Sequence, residues 1–578
     1  MIVSTKIQKF IILTLILLTL LRIPAFLDAY NLPKMFVLVI CAGLILTYLI
    51  INFRLILNQN IKLILTFTSL FTLLLLTSAV ASDQNIYKTL IGAIYRNNGV
   101  LTYISLIIIF FTIAINKSVG FINEIILYFV YLGILLICIG LYQRYEASLI
   151  SPSAAAVSVK LTLGNIDYAA ALLGLTGTAT LFLFLNSRTL LISRIIFVVS
   201  FYFHYILLFD SPAKQGRVVF VGGSFLVFSF WLSTNKKTIL KRFGIMFWLF
   251  TFSMAILTIG ALFSFGPLKN IFADDMRSLD DRYYQWLAAI EMIKDKPFFG
   301  VGIDAFGDWH RRYNSIEGFN RIVLGGGAPV DNPHNLFLHL GATGGLMLLL
   351  GYLALTGFIF CRGLIAIKRS PDQYLAGGLL SIWLAFQAQS IISIDQIGLS
   401  CWAWAIAGCI VSLSYLSPVV KNENLSVVSN QNNSKKPIKV VLLISIICQL
   451  PSLYMVPIMK NHIDLGNRVN MLRFTTDQVE VKPIADLLLK DSLNNREPFF
   501  RANIVRLLAE FNQLDSALAL AIDSTKQFPS DYESWNTLAK FYEVTGQKSL
   551  AIEPRRKSIE LDPNNLDLLK VLEDDIKG

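Results

Sequence analysis

The 578-residue sequence predicts an all-α polytopic membrane protein with about 13 transmembrane helices, followed by a C-terminal helical repeat domain. Three observations carry that prediction. The chain is 55% hydrophobic and only 15% charged, and its apolar residues gather in runs of about 17–25, the length of a helix that crosses a bilayer. Lysine and arginine recur in alternate connections between those runs, the asymmetry that marks cytoplasmic loops. Beyond about residue 460 the composition turns polar and a 34-residue period sets in.

The apolar runs cover residues 8–26, 33–53, 61–81, 98–115, 120–142, 166–186, 189–210, 217–233, 243–266, 334–361, 374–393, 397–417 and 439–459. The first resembles a signal peptide in length, but no small-residue cleavage site follows it and Pro24 and Pro33 lead into the next run, so it is read as an anchor. With the N-terminus inside, the cytoplasmic turns receive Arg54 and Lys62, Lys117, Arg188 and Arg194, then Lys236, Lys237, Lys241 and Arg242. Arg362, Lys368 and Arg369 follow, and finally Lys421, Lys435, Lys436 and Lys439. This distribution accounts for the net charge of +12 and leaves no case for nucleic acid as a partner. An odd number of spans exports the short turn holding Arg217, the 67-residue segment Pro267–Pro333 and everything after residue 460. The domain reading is therefore a membrane unit over 1–460, with an extracytoplasmic loop at 267–333, and an extracytoplasmic helical unit over 461–578.

All six cysteines fall inside or at the ends of the apolar runs, where they behave as small apolar residues. No Cys/His spacing points to a zinc or redox site, so no metal is expected. In the tail, Ala517, Ser524 and Pro529 recur as Ala551, Ser558 and Pro563, and Trp535, Leu538, Tyr542, Ala551 and Pro563 resemble the tetratricopeptide pattern. The preceding unit carries Arg501, Ile504 and Leu508 where the first-helix signature stands. Two such units are few for a stable array, which calls for flanking helices within 466–500 and 564–575. The tail reads either as packing support for the membrane core or as a docking surface for a protein or acceptor.

Within the exported loop, Leu279, Tyr283, Trp286, Leu287, Ile290 and Ile293 recur at helical spacing. They predict an amphipathic helix able to lie in the membrane interface. Arg282 borders that stripe, its stem apolar and its fork free for headgroup phosphates. Pro297-Phe298-Phe299-Gly300-Val301-Gly302 breaks the helix; no strand precedes it, so its glycines are read as structural. After Gly325–Gly327 comes Asp331-Asn332-Pro333-His334-Asn335. Asn332 reads as an N-cap and Pro333 as the first helical residue, which puts His334 in the first turn. There the helix dipole disfavours imidazolium, leaving a neutral ring suited to serve as a base. On local sequence alone, a histidine at a helix start is more often a cap or a solvated side chain than a catalytic base. His204, His310 and His339 show no metal-ligand spacing and are read as structural. Gly164-Asn165 before the sixth span reads as a turn or helix cap, and Gln215-Gly216-Arg217 opens the eighth, where a charge is costly unless it snorkels or functions.

Taken together, Arg282-Tyr283-Tyr284-Gln285-Trp286, the Pro297–Gly302 segment with Phe306, and His334-Asn335-Leu336-Phe337-Leu338 before a Gly-rich span resemble the signature region of the O-antigen ligase and Wzy-type polymerase superfamily. Gly164-Asn165 and Gln215-Gly216-Arg217 stand where that superfamily often has Gly-Asn and Ser-Arg-Gly; the second departs from the pattern around its arginine. The resemblance implies a GT-C-like bacterial inner-membrane glycosyltransferase that uses no cofactor. Such an enzyme takes a glycan from undecaprenyl pyrophosphate and passes it to a hydroxyl of a lipid, glycan or protein acceptor. On that reading Arg217 and Arg282 hold the pyrophosphate, His334 takes the acceptor proton, and Asp331, Asn335 and Asn165 support them. A transporter needs ionisable groups deep in several spans, and here Glu124 and His204 are the main ones. A scaffold acting only through the tail leaves the polar cluster without a role.

Overall fold

A helix stands at every predicted span. The structure of the protein, a computed structural model, describes residues 3–57, 61–82, 84–149, 159–186, 190–234, 237–262, 277–324, 330–370, 372–416, 437–475 and 478–577. In chain order the helices are α1 (Thr5–Leu20), α2 (Asn31–Ile51), α3 (Phe53–Leu57), α4 (Lys62–Ala81), α5 (Ile86–Ile91), α6 (Val100–Ala114), α7 (Val119–Ser148) and α8 (Ile166–Leu185). Next come α9 (Leu191–Asp210), α10 (Lys214–Ser233), α11 (Thr238–Leu262), α12 (Arg277–Asp295), α13 (Phe306–Tyr313), α14 (Ile316–Leu324), α15 (Leu336–Arg369) and α16 (Gln373–Gln389). The last are α17 (Ile397–Ser414), α18 (Ile438–Phe474), α19 (Gln478–Leu493), α20 (Pro498–Glu510), α21 (Leu514–Gln527), α22 (Tyr532–Val544), α23 (Lys548–Leu561) and α24 (Leu566–Lys577). Among the described residues nine helices are long and apolar enough to cross a membrane, namely α2, α4, α7–α10, α15, α17 and α18. The others at predicted spans include α1, α6 and α16, which are shorter at 16, 15 and 17 residues. This is an all-α, polytopic membrane protein.

Small residues set how closely these helices pack, because in lipid the attraction between helices comes from close contact rather than from expelling water. A Cβ on Gly216 of α10 would lie 2.5 Å from the Ala170 Cβ of α8, and one on Gly174 would lie 2.7 Å from the Gly216 carbonyl oxygen. Helix α17 is buried along its whole length, and its Trp402 indole N–H donates to Thr19 Oγ1 of α1 at 2.8 Å.

The odd-numbered connections meet at one end of the bundle. There Arg96 pairs with Asp331 at 2.8 Å, Arg282 donates to the Ile392 carbonyl at 3.0 Å, and the Tyr30 ring abuts Gly164. The even-numbered connections meet at the other, where Arg362 Nε donates to Ser414 Oγ at 2.7 Å and Tyr374 donates to the Phe182 carbonyl at 2.7 Å. The tail docks on the odd end: Arg311 of α13 pairs with Asp562 at 3.1 Å, Asn564 donates to the Asn314 carbonyl, and Tyr95 meets Phe499 and Phe500 edge-on. Such a split is what the parity of the spans requires. Arg188, Lys236, Lys421, Lys435, Lys436 and Gly325–Gly327 lie outside the described residues.

The tail helices pack in chain order around a core of their own that includes Leu465, Leu508, Leu520 and Leu538. Ala517 and Ala551, the small residues of the 34-residue period, are fully buried.

One face of α12 packs on protein: Ala289 and Met292 join Phe306 of α13 and Ala342 of α15 in a small core and Trp286 is buried, while Tyr283 of the predicted stripe is 42% exposed. One expectation needs correction. The span read as 334–361 is broken. At Gly345 the backbone turns to φ 76°, ψ 172°, and the Pro297–Gly302 segment fills the break. Leu346 N–H donates to the Pro297 carbonyl at 2.7 Å, while Val301 and Gly302 N–H donate to the Ala342 and Thr343 carbonyls, each at 3.0 Å. Backbone groups freed by the break are thereby satisfied, the condition for irregular backbone beside a membrane. The result is a half-helix, 336–344, at the loop end of the bundle.

That junction depends on glycine, since a Cβ on Gly345 would sit 2.2 Å from the Phe298 carbonyl oxygen. Gly345→Ala is expected to cost at least roughly 1–3 kcal/mol. Gly357→Ala, further along the same helix with open space around it, serves as the neutral control. Thermal unfolding in detergent checks the pair; equal melting temperatures would contradict the assignment.

Candidate functional site

The site is assembled from the odd-end connections around the residues before α15. Asn335 is the N-cap of that helix: its side chain accepts from Leu338 N–H at 3.0 Å. His334 therefore precedes the helix, with φ 51° in the left-handed region, instead of lying in its first turn. Asn332 is not the cap either. Its Oδ1 accepts from His334 N–H at 3.0 Å, an Asx turn, and its Nδ2 donates to His339 Nδ1 at 3.0 Å. The register is chosen by tertiary contacts, because Leu336 N–H donates to the Ser390 carbonyl and the Trp286 indole N–H donates to the Pro333 carbonyl, both at 2.8 Å.

Trp286 and Arg282 lie one turn apart on α12, so the tryptophan that clamps the His334 segment also sets the arginine beside it. The Arg282 fork turns inward, with one nitrogen on the Ile392 carbonyl and the other 4.0 Å from Asp167 Oδ2 in the first turn of α8. Asn165 caps α8 by accepting from Asp167 N–H at 2.7 Å, and Gly164 supplies the preceding turn with φ 84°. Neighbouring Tyr168 receives a hydrogen bond from Arg96, whose other nitrogen holds Asp331. Asp331 is thus spent on Arg96 and does not hydrogen-bond the His334 ring.

Arg282 and Arg96 both lie close enough to the imidazole to act on its charge. Burial, then Arg282 and Arg96, pull the His334 pKa down to about 4, against the opposing pull of Asp331. The neutral ring expected from the helix dipole is present for a different reason. Burial also lowers the pKa of Arg282, and Asp167 partly offsets this; for Arg96, burial is outweighed by Tyr168 and Asp331, which hold the cation firmly charged.

Beneath this layer is a second, buried one. His339 Nε2 lies 3.2 Å from Asp304 Oδ1, and Asp304 Oδ2 accepts from Ala93 N–H at 2.7 Å and Asn98 N–H at 3.1 Å. Since His339 Nδ1 accepts from Asn332, its proton is on Nε2. Asp304 therefore ties the loop of Arg96 to the turn of His334. Nearby Asp395 is pushed up to about 6 by burial, with Ser400 and His339 opposing.

Arg217 is in the first turn of α10, on the same end, one residue beyond the Gly216 that rests on Ala170 of α8. Its Nε is buried without a hydrogen-bond partner, and no described contact joins it to Arg282 or His334. The structure brings together His334, Arg282, Asp331, Asn335 and Asn165, and adds Arg96, Asp167 and Asp304. The sequence carried no distinct signal for Arg96, since the odd-numbered connections also hold Lys88, Arg144, Lys160 and Lys214.

Residues 206–353, which carry Arg217, Arg282 and His334, match the O-antigen ligase family. The O-antigen ligase region runs from the end of α9 through the half-helix to just past the break, so the two arginines and the histidine predicted from sequence are all inside it, whereas Arg96 and Asp167 are contributed from outside. The family is one of membrane glycan ligases and polymerases. No curated protein matches the chain. The tetratricopeptide assignment of the tail rests on its sequence spacing.

Proposed function

We propose that this membrane protein transfers a glycan from undecaprenyl pyrophosphate to an acceptor hydroxyl on the extracytoplasmic face of the bacterial inner membrane. One observation supports it above the others: at the loop end of the bundle the turn carrying His334 is clamped by Trp286, one helical turn from Arg282, and its Asp331 is held by Arg96. Arg282 and Arg96 would take the diphosphate, with Arg217 entering from α10. Their charge is worth most as the leaving lipid diphosphate gains negative charge in the transition state. His334 would accept the acceptor's proton as its oxygen attacks the anomeric carbon and the bond to phosphate breaks. Burial first, and then the two arginines, keep the imidazole neutral; bound diphosphate would offset the arginines' share, making His334 a stronger base when substrate is present. Trp286, Asn332 and the His339–Asp304 pair would orient it. Lipid, glycan and protein acceptors all fit this chemistry, and the acceptor decides between ligase, polymerase and protein oligosaccharyltransferase.

The test is transfer by the purified full chain in proteoliposomes, with labelled lipid-linked glycan and extracts supplying each acceptor class. Because kcat/KM reports the free enzyme, it is expected to hold level from about pH 8 to 5 and to fall only as the pH nears the His334 value of about 4. The acid limb of kcat is expected at higher pH, where bound diphosphate has raised the ring's pKa. In Arg282→Gln a cation that opposes protonation is gone, so the kcat/KM limb moves upward. An unmoved limb in that variant would remove His334 from the base role, and absence of any transfer with every acceptor class would reject the reading.

A further inference from the structure

A cavity of about 620 Å³ lies between the membrane unit and the tail, away from the histidine site. Its floor is the end of α4 and the start of α5, one wall is the Pro297–Val301 segment with α13, and the facing wall is the 527–531 turn of the tail. The volume falls within the range of about 300–1,000 Å³ usual for ligand sites, and domain junctions are where such sites concentrate.

The chemistry of the lining narrows the occupant. Its charges nearly balance, with Lys88, Lys296, Arg312 and Arg496 against Asp295, Asp308 and Asp531: Lys88 pairs with Asp308 at 2.5 Å, Asp295 accepts from Tyr313 at 2.5 Å, and Asp531 caps α22 through Ser534. Arg312 lies over the Trp309 ring at 4.6 Å. This near balance leaves a weak net pull on an anion. What remains open to an occupant is a set of planar apolar faces, Phe298, Phe299, Phe528 and Pro529, edged by the Gln527 amide and the Ser530 hydroxyl. Phe298 and Phe299 are 60% and 42% exposed, large for aromatic rings in a loop that is otherwise tightly fixed. Flat apolar faces with amide and hydroxyl edges match the alternating C–H faces and hydroxyl rims of a sugar chain. A peptide is less well served, since the walls are helix ends and turns with no strand edge to extend. The position also suits a glycan, because Ala81 and Ser82 line the floor where α4 ends, and Val301 and Ala305 back directly onto the half-helix that follows His334.

We infer that this cavity binds a short, neutral or weakly charged oligosaccharide stretch of the substrate, holding sugar units remote from the bond that reacts. The inference rests on the glycan-transfer reading for its biological role, but its test does not. The probe is a fluorescently tagged oligosaccharide released by mild acid from the native host's lipid-linked glycan, so that it carries neither lipid nor diphosphate and has no claim on the arginines. Titrated against the full chain in nanodiscs, it is expected to bind saturably. Ser530→Trp, which fills the cavity from an exposed position, and Phe299→Ala, which removes a stacking face, should each weaken binding at least tenfold. His334→Asn should leave it unchanged. No saturable binding by the wild type, unchanged binding in both cavity variants, or displacement by an unstructured peptide would overturn the site. Failed transfer with intact binding would instead count against the catalytic reading alone.

Discussion

His334→Asn is expected to lower glycan transfer by about 10²–10⁴-fold, the usual contribution of a positioned base, while leaving the unfolding temperature near that of the wild type. Asparagine is the informative replacement because His334 sits at φ 51°, a left-handed conformation that asparagine tolerates and that costs other side chains roughly 1–2 kcal/mol. His334→Ala is therefore expected to lose activity and some stability together. The Asx turn from Asn332, the Asn335 cap and the Trp286 clamp are all made to backbone groups, so they survive the change of ring. Lipid-linked donor should accumulate in cells carrying His334→Asn. Normal surface glycan in those cells would show that the ring takes no part in the chemistry.

Arg96→Gln is expected to cost about 10²–10³-fold in kcat, comparable to removing a fixed charge-stabilising donor from a transition state. Two losses combine in this variant. One cation facing the diphosphate disappears, and Asp331, held by Arg96 at 2.8 Å, is left as an uncompensated carboxylate beside the site. The double variant Arg96→Gln/Asp331→Asn separates them: it should recover the part of the loss due to the stranded carboxylate but not the part due to the missing cation. Steady-state kinetics on the reconstituted pair make the comparison. Full recovery in the double variant would reduce Arg96 to a positioning residue for the 331–335 turn.

Hydropathy and basic residues together made the membrane architecture legible, because spanning length and loop charge are both fixed by the bilayer. Arg282 and His334 were legible as polar residues at the edges of apolar runs. The local geometry around His334 was not. Asn332-Pro333 has the composition of a cap followed by a first helical residue, and only contacts from Trp286 and Ser390, distant in the chain, select Asn335 as the cap. Nor was the break at Gly345, since a glycine pair in an apolar run reads equally well as a close helix contact. Its conformation is set by a loop that begins 48 residues earlier, at Pro297, whose carbonyl receives the Leu346 N–H. Asp167, Asp304 and Asp395 lacked any motif, and their part in the site comes from the meeting of the odd-numbered connections.

The decisive measurement is a structure of the full chain in a lipid nanodisc with undecaprenyl pyrophosphate bound. The account predicts phosphate oxygens within hydrogen-bond reach of the Arg282 and Arg96 guanidinium groups, and the His334 ring facing the anomeric side of the diphosphate. A diphosphate seated elsewhere, at the even end of the bundle or in the cavity beside the tail, would contradict it.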